Sequence, residues 1–412
     1  MLLVLAAAAA TGLQLPSSLG KADRFTILDE SGTDCLELIG TSRVRHESHV
    51  PSYDSLERML AAARTRHTDL TSQCDELERP SKSWQSDELL ILKKRKLREK
   101  DRITNVLELM RRHPQSGPNA FQLGSGHYGE VLLGRSTRHG RVAIKIAKDQ
   151  QDTAAQPHLA REALVLSTLQ GESGFPALHH YGRQEVLGQP CDVLVMELLG
   201  ASVEDLCWKH AGGTHFKAPT VMRLGRDVIR NLRKLHLAGF VHNDLKPSNL
   251  LLGPPGSATE SELHLVDFGI STRADEPVAP SSSRGGSEGT RGTPSFASVA
   301  AHEGKRPTRA ADDLESLCYC LVFLAMGSLP WQWESAEQAV RMKRNMIADG
   351  EEYFEELDRH FGSVATALRA LWAEVVRANA EGGDVDYSVC EEALGTAGGT
   401  ESPPDWARGA GS

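Results

Sequence analysis

The stretch VHNDLKPSNLLL, residues 241–252, sets a His, an Asp, a Lys and an Asn within eight positions, His242 to Asn249. A carboxylate can orient a hydroxyl and take its proton, an ammonium can neutralise a phosphoryl group in transit, and an amide oxygen can ligate a metal ion. Those roles fall to Asp244, Lys246 and Asn249 respectively. A second carboxylate, Asp267, heads the Asp-Phe-Gly of LHLVDFGIS and supplies another oxygen for the metal. The first stretch lies between the amphipathic VIRNLRKLHLAGF and an apolar run, as a buried loop would.

Other segments must bring the phosphates there. LGSGHYGEVLLGR carries Gly124, Gly126 and Gly129 ahead of Val131, a spacing at which a turn can close over phosphates and offer backbone N–H groups. A strand-like RVAIKIA follows with Lys145 in its middle, where an ammonium is costly unless it is paired. A partner is available in Glu162, on the helical PHLAREALVLSTLQ, and such a pair would hold the ammonium against two phosphates of a nucleotide. The apolar strand ending at Met196 and running into Glu197, Leu198, Leu199 and Gly200 suits a hinge whose backbone bonds an adenine edge. The expectation is that Lys145, Asp244 and Asp267 converge around the transferred phosphorus.

These words in this order resemble a protein kinase. LVMELLGASVEDL, GTPSFASVAAHEG, DDLESL and GSLPWQ are similar to the casein kinase 1 group with its tau-tubulin-kinase and vaccinia-related-kinase relatives. The resemblance covers roughly 118–396 and implies an α+β, bilobal kinase-like fold with a small lobe over 118–198 and a large helical lobe over 200–396. It implies Mg2+ and ATP as cofactors, and protein Ser/Thr hydroxyls as acceptors because Lys246 stands two residues after Asp244 and before a Pro. Catalytic roles fall on Asp244, Lys246, Lys145 and Glu162, and metal ligation on Asn249 and Asp267. Nucleotide contacts fall on Leu123, Gly124, Gly126, Gly129, Val131, Ala143, Lys145, Met196, Glu197 and Leu199. Asp313 matches the Asp that braces the catalytic loop from below.

The chain departs from the resemblance in three places. Asn243 stands where most kinases carry an Arg that reads a phosphate on the activation segment, which predicts activity without that phosphorylation. Ser295 stands where casein kinase 1 enzymes carry an Arg that helps read a substrate phosphate, and Trp333 where that family usually has Gly, so the resemblance does not extend to a preference for primed substrates. The run VRMKR, with Arg341, Lys343 and Arg344, is either helix-surface charge or a feature favouring acidic peptides. The alternative to an active enzyme is a pseudokinase scaffold that holds nucleotide and partners without catalysis.

Bulk properties narrow the surroundings. A formal net charge of −9 over 412 residues argues against gripping nucleic acid by bulk electrostatics. Seven cysteines without regular spacing do not form a disulfide framework, and Cys318 and Cys320 in LESLCYCLVFLAM read as core filling of a helix too short to span a bilayer. A cytoplasmic or nuclear address follows, with organelle or secretory targeting as the alternative suggested by the apolar residues 1–20. Residues 21–52 carry no readable pattern. An apolar heptad stripe from Leu56 to Leu77, the break at Pro80 and a second stripe to Met110 predict a helical hairpin or coiled coil over 53–112. That segment resembles the YdcH-like helical hairpins, and its roles would be self-association or partner docking. RRHPQSGPN reads as a linker, residues 273–292 as a mobile loop, and the tail 397–412 as disordered.

Overall fold

The computed structural model describes residues 36–38, 65–66, 122–125, 129–147, 156–186, 189–210, 215–273, 292–304, 307–332, 334–348, 351–382, 384–396 and 404–406. The apolar N-terminus, all of the expected hairpin but residues 65–66, Gly126, most of the 273–292 stretch and Trp333 lie outside the described residues. The chain divides into two compact units, residues 1–148 with 185–190, and residues 149–184 with 191–412.

The first unit is built on antiparallel strands. β1 (Leu36–Leu38) and β2 (Gln122–Ser125) both pair with one edge of β3 (Gly129–Ser136), and β4 (Gly140–Ala147) pairs with the other. The β3–β4 turn is closed by Ser136, whose Oγ accepts the N–H of Arg138 at 3.1 Å and of His139 at 3.0 Å. The register sets Val131 opposite Lys145 and Leu133 opposite Ala143. Since side chains alternate along a strand, those four residues share one face. Val142, Ala143, Ile144 and Lys145 are buried in succession, so both faces of β4 are covered. β1 comes from the stretch in which the sequence shows no pattern; three residues are too few to display one.

The second unit begins with α1 (Gln156–Thr168), whose Leu159, Glu162, Ala163, Val165 and Leu166 are buried at helical spacing. The neighbouring strands β5 (Leu178–Val186) and β6 (Gln189–Glu197) follow. α2 (Val203–His210) starts at Ser202, whose Oγ accepts the Asp205 N–H at 3.0 Å. α3 (Ala218–Leu237) then buries Val221, Leu224, Val228, Ile229, Leu232 and Leu235 on one stripe. α4 (Val299–Glu303), α5 (Ala310–Met326), α6 (Ala336–Ala348), α7 (Glu351–Glu381) and α8 (Tyr387–Thr396) complete the helices.

α5 is the axis of this unit. Every residue from Ala311 to Ala325 is buried, as the apolar LESLCYCLVFLAM predicts, and Gly327 ends the helix in a left-handed turn at φ 77°. Gly225 lets α3 approach closely, because a Cβ there would stand 2.9 Å from Leu394 on α8 and 3.1 Å from Leu321 on α5. Cys318 and Cys320 are buried free thiols whose pKa values burial pushes well up, so they fill core as expected. Among the described residues no helix is long and apolar enough to cross a membrane.

Part of the tail expected to lack order is docked. Pro404 is buried, Trp406 stacks edge-on against Phe216 with ring centroids 5.6 Å apart, and Asp405 sits at the start of α3. Its Oδ2 accepts the Lys217 N–H at 2.7 Å and its own N–H donates to Thr220 Oγ1 at 3.1 Å. Lys217 offers no capping side chain, so a carboxylate from far along the chain satisfies this helix end and complements its dipole. Replacing Asp405 by Ala should destabilise the full chain by about 1 kcal/mol, the usual value of a helix cap. Urea unfolding measures this as a lower midpoint at unchanged slope.

Candidate active site

Two short antiparallel pairs frame the chemistry-bearing loop. β7 (Phe240–Val241) pairs with β10 (Thr272–Arg273), and β8 (Leu250–Leu252) pairs with β9 (Leu263–Leu265). Residues 242–249 connect β7 to β8, and residues 266–271 connect β9 to β10, so the pairings lay the two loops side by side. Asn249 and Asp267, separated in sequence, thereby come to the same end of the β8–β9 pair, where Val266 N donates to Asn249 O at 3.1 Å. Asn231, buried on α3, fixes the pair from below by donating to Leu263 O at 2.8 Å.

The loop is gripped by Asp313 in the first turn of α5. Oδ2 accepts the His242 N–H at 2.6 Å and Oδ1 the Asn243 N–H at 2.9 Å. His236, from α3, bonds Oδ2 at 2.8 Å through Nε2, and its Nδ1 bonds the Tyr387 hydroxyl of α8. Burial alone would raise the Asp313 pKa, but the His236 bond and charge, with the charge and N–H of His242, hold it below the usual carboxylate range. The bracing inferred for Asp313 from the sequence is thus visible as hydrogen bonds, while the His236–Tyr387 support behind it is not a feature the sequence reading found.

Asn243 has φ 69°, a left-handed conformation that Asn tolerates better than bulkier residues. Its amide turns inward and donates to Thr272 Oγ1 at 2.9 Å and Ile270 O at 3.0 Å. Asp244 follows at the front of the loop. Its Oδ2 accepts from Lys246 Nζ at 2.7 Å and Asn249 Nδ2 at 3.3 Å, and its Oδ1 from Thr293 N at 2.8 Å and Thr293 Oγ1 at 2.7 Å. Lys246 also donates to Thr293 Oγ1 at 3.0 Å, so one hydroxyl links the Asp244 carboxylate and the ammonium. Thr293 is a site residue the sequence reading missed, although it stands in the quoted GTPSFAS. Its approach depends on Gly292, at φ 84°, where a Cβ would stand 2.3 Å from Asn243 O.

The Asp-Phe-Gly segment is equally constrained. Asp267 adopts φ 67°, the left-handed region that Asp, like Asn, enters more readily than bulkier residues. Phe268 is fully buried between Phe175 and His242, with ring centroids 6.0 and 5.1 Å away. Gly269 O accepts from His158 Nδ1 on α1 at 2.8 Å. On the same helix Glu162 is buried, and at the end of β6 Met196 is buried while the Glu197 carboxylate accepts the Ala177 N–H at 3.2 Å. Leu199 is half-buried beside it.

In the first unit, Val131, Ala143 and Lys145 share a face of the β3–β4 hairpin, with Gly124 and Gly129 on the adjoining strands and Leu123 at the bulge between β2 and β3. The candidate metal ligands fit a hard cation. Asn249 donates through Nδ2 to Asp244 O at 2.8 Å, which leaves its amide oxygen as the ligating atom, and Asp267 supplies a carboxylate.

Residues 119–380 match the family model described as a protein kinase domain. The chain is similar to the Casein kinase 1-like protein HD16 of Oryza sativa subsp. japonica, 39% identical over 223 residues, which are 51% of this chain and 30% of that protein. It is also similar to the Casein kinase I homolog 3 of Schizosaccharomyces pombe, 31% identical over 219 residues, 51% of this chain and 46% of that protein. The chain therefore spans less than half the length of these curated relatives.

Removing the Asp313 carboxylate orphans two buried N–H groups. Asp313→Ala should cost about 2–6 kcal/mol, at roughly 1–3 kcal/mol for each of the two unsatisfied groups, read as a fall in melting temperature. Because its folded pKa is depressed, the contribution is complete above the ordinary Asp value of about 4 and is lost only as the pH falls through the lower folded value. Melting curves between pH 5 and 8 should show no Asp313-dependent loss of stability.

Proposed function

Because this chain belongs to the protein kinase family, we propose that it is a serine/threonine kinase of the casein kinase 1 kind, transferring the γ-phosphoryl group of ATP to protein hydroxyls. The observation that carries the reading is the Asp244 carboxylate, fixed by Lys246, Asn249 and Thr293 at the front of a braced loop. A base held by several donors is pre-oriented, which is how a positioned carboxylate speeds transfer to a weakly acidic hydroxyl. Asp244 orients the acceptor hydroxyl and takes its proton as the O–P bond forms. Lys246 neutralises charge on the moving phosphoryl group, and its bond to Thr293 keeps it beside the base. Asn249 and Asp267 would hold Mg2+, whose chemistry when bound with ATP is to neutralise phosphate charge. On the first unit, an apolar face ending in Lys145 suits a base and phosphates, with Val131 and Ala143 against the base.

Asn243 supports activity that does not wait for a phosphate on the activation segment. Where an Arg would bring an unpaired charge, the Asn amide is spent on Thr272 and Ile270, and Thr272 Oγ1 continues to Thr308 Oγ1 at 3.3 Å. Neutral hydrogen bonds thus join the catalytic loop to both ends of the segment without added charge. Acceptors are protein Ser/Thr side chains, with cytoplasm or nucleus as the compartment. The self-association proposed for residues 53–112 lies outside the described residues.

The experiment is transfer of labelled phosphate from Mg·ATP to casein. Asp244→Asn and Lys145→Met should each lower kcat by at least about 10²-fold, as loss of a positioned acid–base or phosphate-binding group does. Asp244→Asn as active as the native chain overturns the reading, while nucleotide binding without any transfer by the native chain would favour a scaffold. Phosphatase treatment of the purified protein should leave its activity within about twofold, because no Arg waits for a phosphate.

A further inference from the structure

Lys343 on α6 is completely buried. The sequence groups it with Arg341 and Arg344 as a basic run, but the structure separates them. Arg341 is exposed and bonds Gln338 at 2.9 Å, and Arg344 is exposed and pairs with Glu303. For those two, helix-surface charge is correct. Lys343 points inward and is neither surface charge nor an acidic peptide's docking point.

Burying an ammonium is costly unless acceptors surround it, and here they do. Nζ donates to Ala297 O at 2.6 Å and Pro294 O at 2.8 Å, lies 3.1 Å from His302 Nε2, and stands over the rings of Tyr319 at 4.8 Å and Trp331 at 5.5 Å. Burial, with the neighbouring Lys343 charge, pushes the His302 pKa down to about 4, so that ring is neutral near pH 7 and adds no like charge. Burial lowers the Lys343 pKa and raises that of Glu315, while the charge of Glu315 works to keep the ammonium protonated.

The carbonyls that Lys343 captures belong to the segment next to the base. Thr293 touches Asp244, so the residues that follow it begin beside the carboxylate an acceptor hydroxyl would reach. Those residues are tied in turn to the helices behind. Trp331 Nε1 donates to Ser295 O at 2.8 Å, Phe296 packs edge-on against Phe323 at 5.6 Å, Ser298 Oγ donates to Asp312 at 2.9 Å, and Val299 N donates to Glu315 at 2.8 Å. Lys343 spans two of these carbonyls, three residues apart.

We propose that Lys343 is a positioning residue for the protein acceptor: its ammonium, with Trp331, clamps the carbonyls of Pro294, Ser295 and Ala297 and so holds segment 293–297 in the shape that seats a peptide against Asp244. The inference rests on the kinase reading above. A loosened clamp leaves base and nucleotide in place and weakens acceptor docking, so it appears in KM rather than in the chemical step.

The test is steady-state kinetics with dephosphorylated casein, alongside ATP hydrolysis measured without casein. Lys343→Met should raise the casein KM about tenfold and leave kcat within about threefold, the size expected when charge-assisted bonds that only position are lost. The ATP KM and casein-free hydrolysis should not change. Trp331→Phe keeps an aromatic ring and removes only the N–H, so it should raise the casein KM about fivefold in a chain that keeps its packing, and it decides the question if Lys343→Met does not fold. A casein KM within about twofold of native in the folded variants, or a kcat that falls in step with casein-free hydrolysis at unchanged KM, overturns the proposal. A native chain that neither hydrolyses ATP nor phosphorylates casein sinks the kinase reading and this inference with it.

Discussion

The grip of the Asp313 carboxylate on two successive N–H groups governs everything in front of it. A loop that places the Asp244 carboxylate between two strand pairs must turn sharply, and this one does so with Asn243 in a left-handed conformation. Such a turn points adjacent N–H groups into the interior, where water cannot satisfy them. A carboxylate in the first turn of the most buried helix meets both, and the dipole of α5 favours its charge there. His236 and Tyr387 fix that carboxylate from the other side, so three helices contribute to the placement of one loop. The direction of Asp244 follows from this anchorage.

What was legible in the sequence was local or came as a word of recognisable spacing. The loop 242–249, the Asp-Phe-Gly segment, the amphipathic α3 and the apolar α5 each declare themselves within a window of a few turns, because strand pairing and helical burial impose short periods. Asp313 was legible only through resemblance; nothing in its neighbourhood shows that it faces a loop 70 residues earlier. Thr293 and Lys343 were illegible for the same reason. Each acts on a residue more than forty positions away, and a hydroxyl or ammonium looks the same in sequence whether it faces solvent or a carbonyl. In the tail, Gly and Pro content reads as disorder, yet residues 404–406 dock on the start of α3 through one Asp and one Trp, a contact composition does not show.

Two departures from the expected pattern share a physical logic. An Arg before Asp244 would need an anion to offset its desolvation, whereas the Asn Nδ2 is satisfied by oxygens of its neighbours while its buried Oδ1 has no hydrogen-bond partner among the described residues. Lys343 is the reverse case, a charge drawn out of solvent into a cage of carbonyls and rings. In both, described residues on either side of the 274–291 stretch, Thr272 on one and 294–297 on the other, are held by contacts inside the fold.

β1 has a consequence for the sheet's integrity. β3 presents one edge to two different partners, β2 along its first half and β1 along residues 134–136. A strand edge with open N–H and C=O groups is a template for pairing with foreign chains. Three residues from far upstream occupy that template, so a chain starting after Leu38 would bare those groups and gain a site for edge-to-edge association.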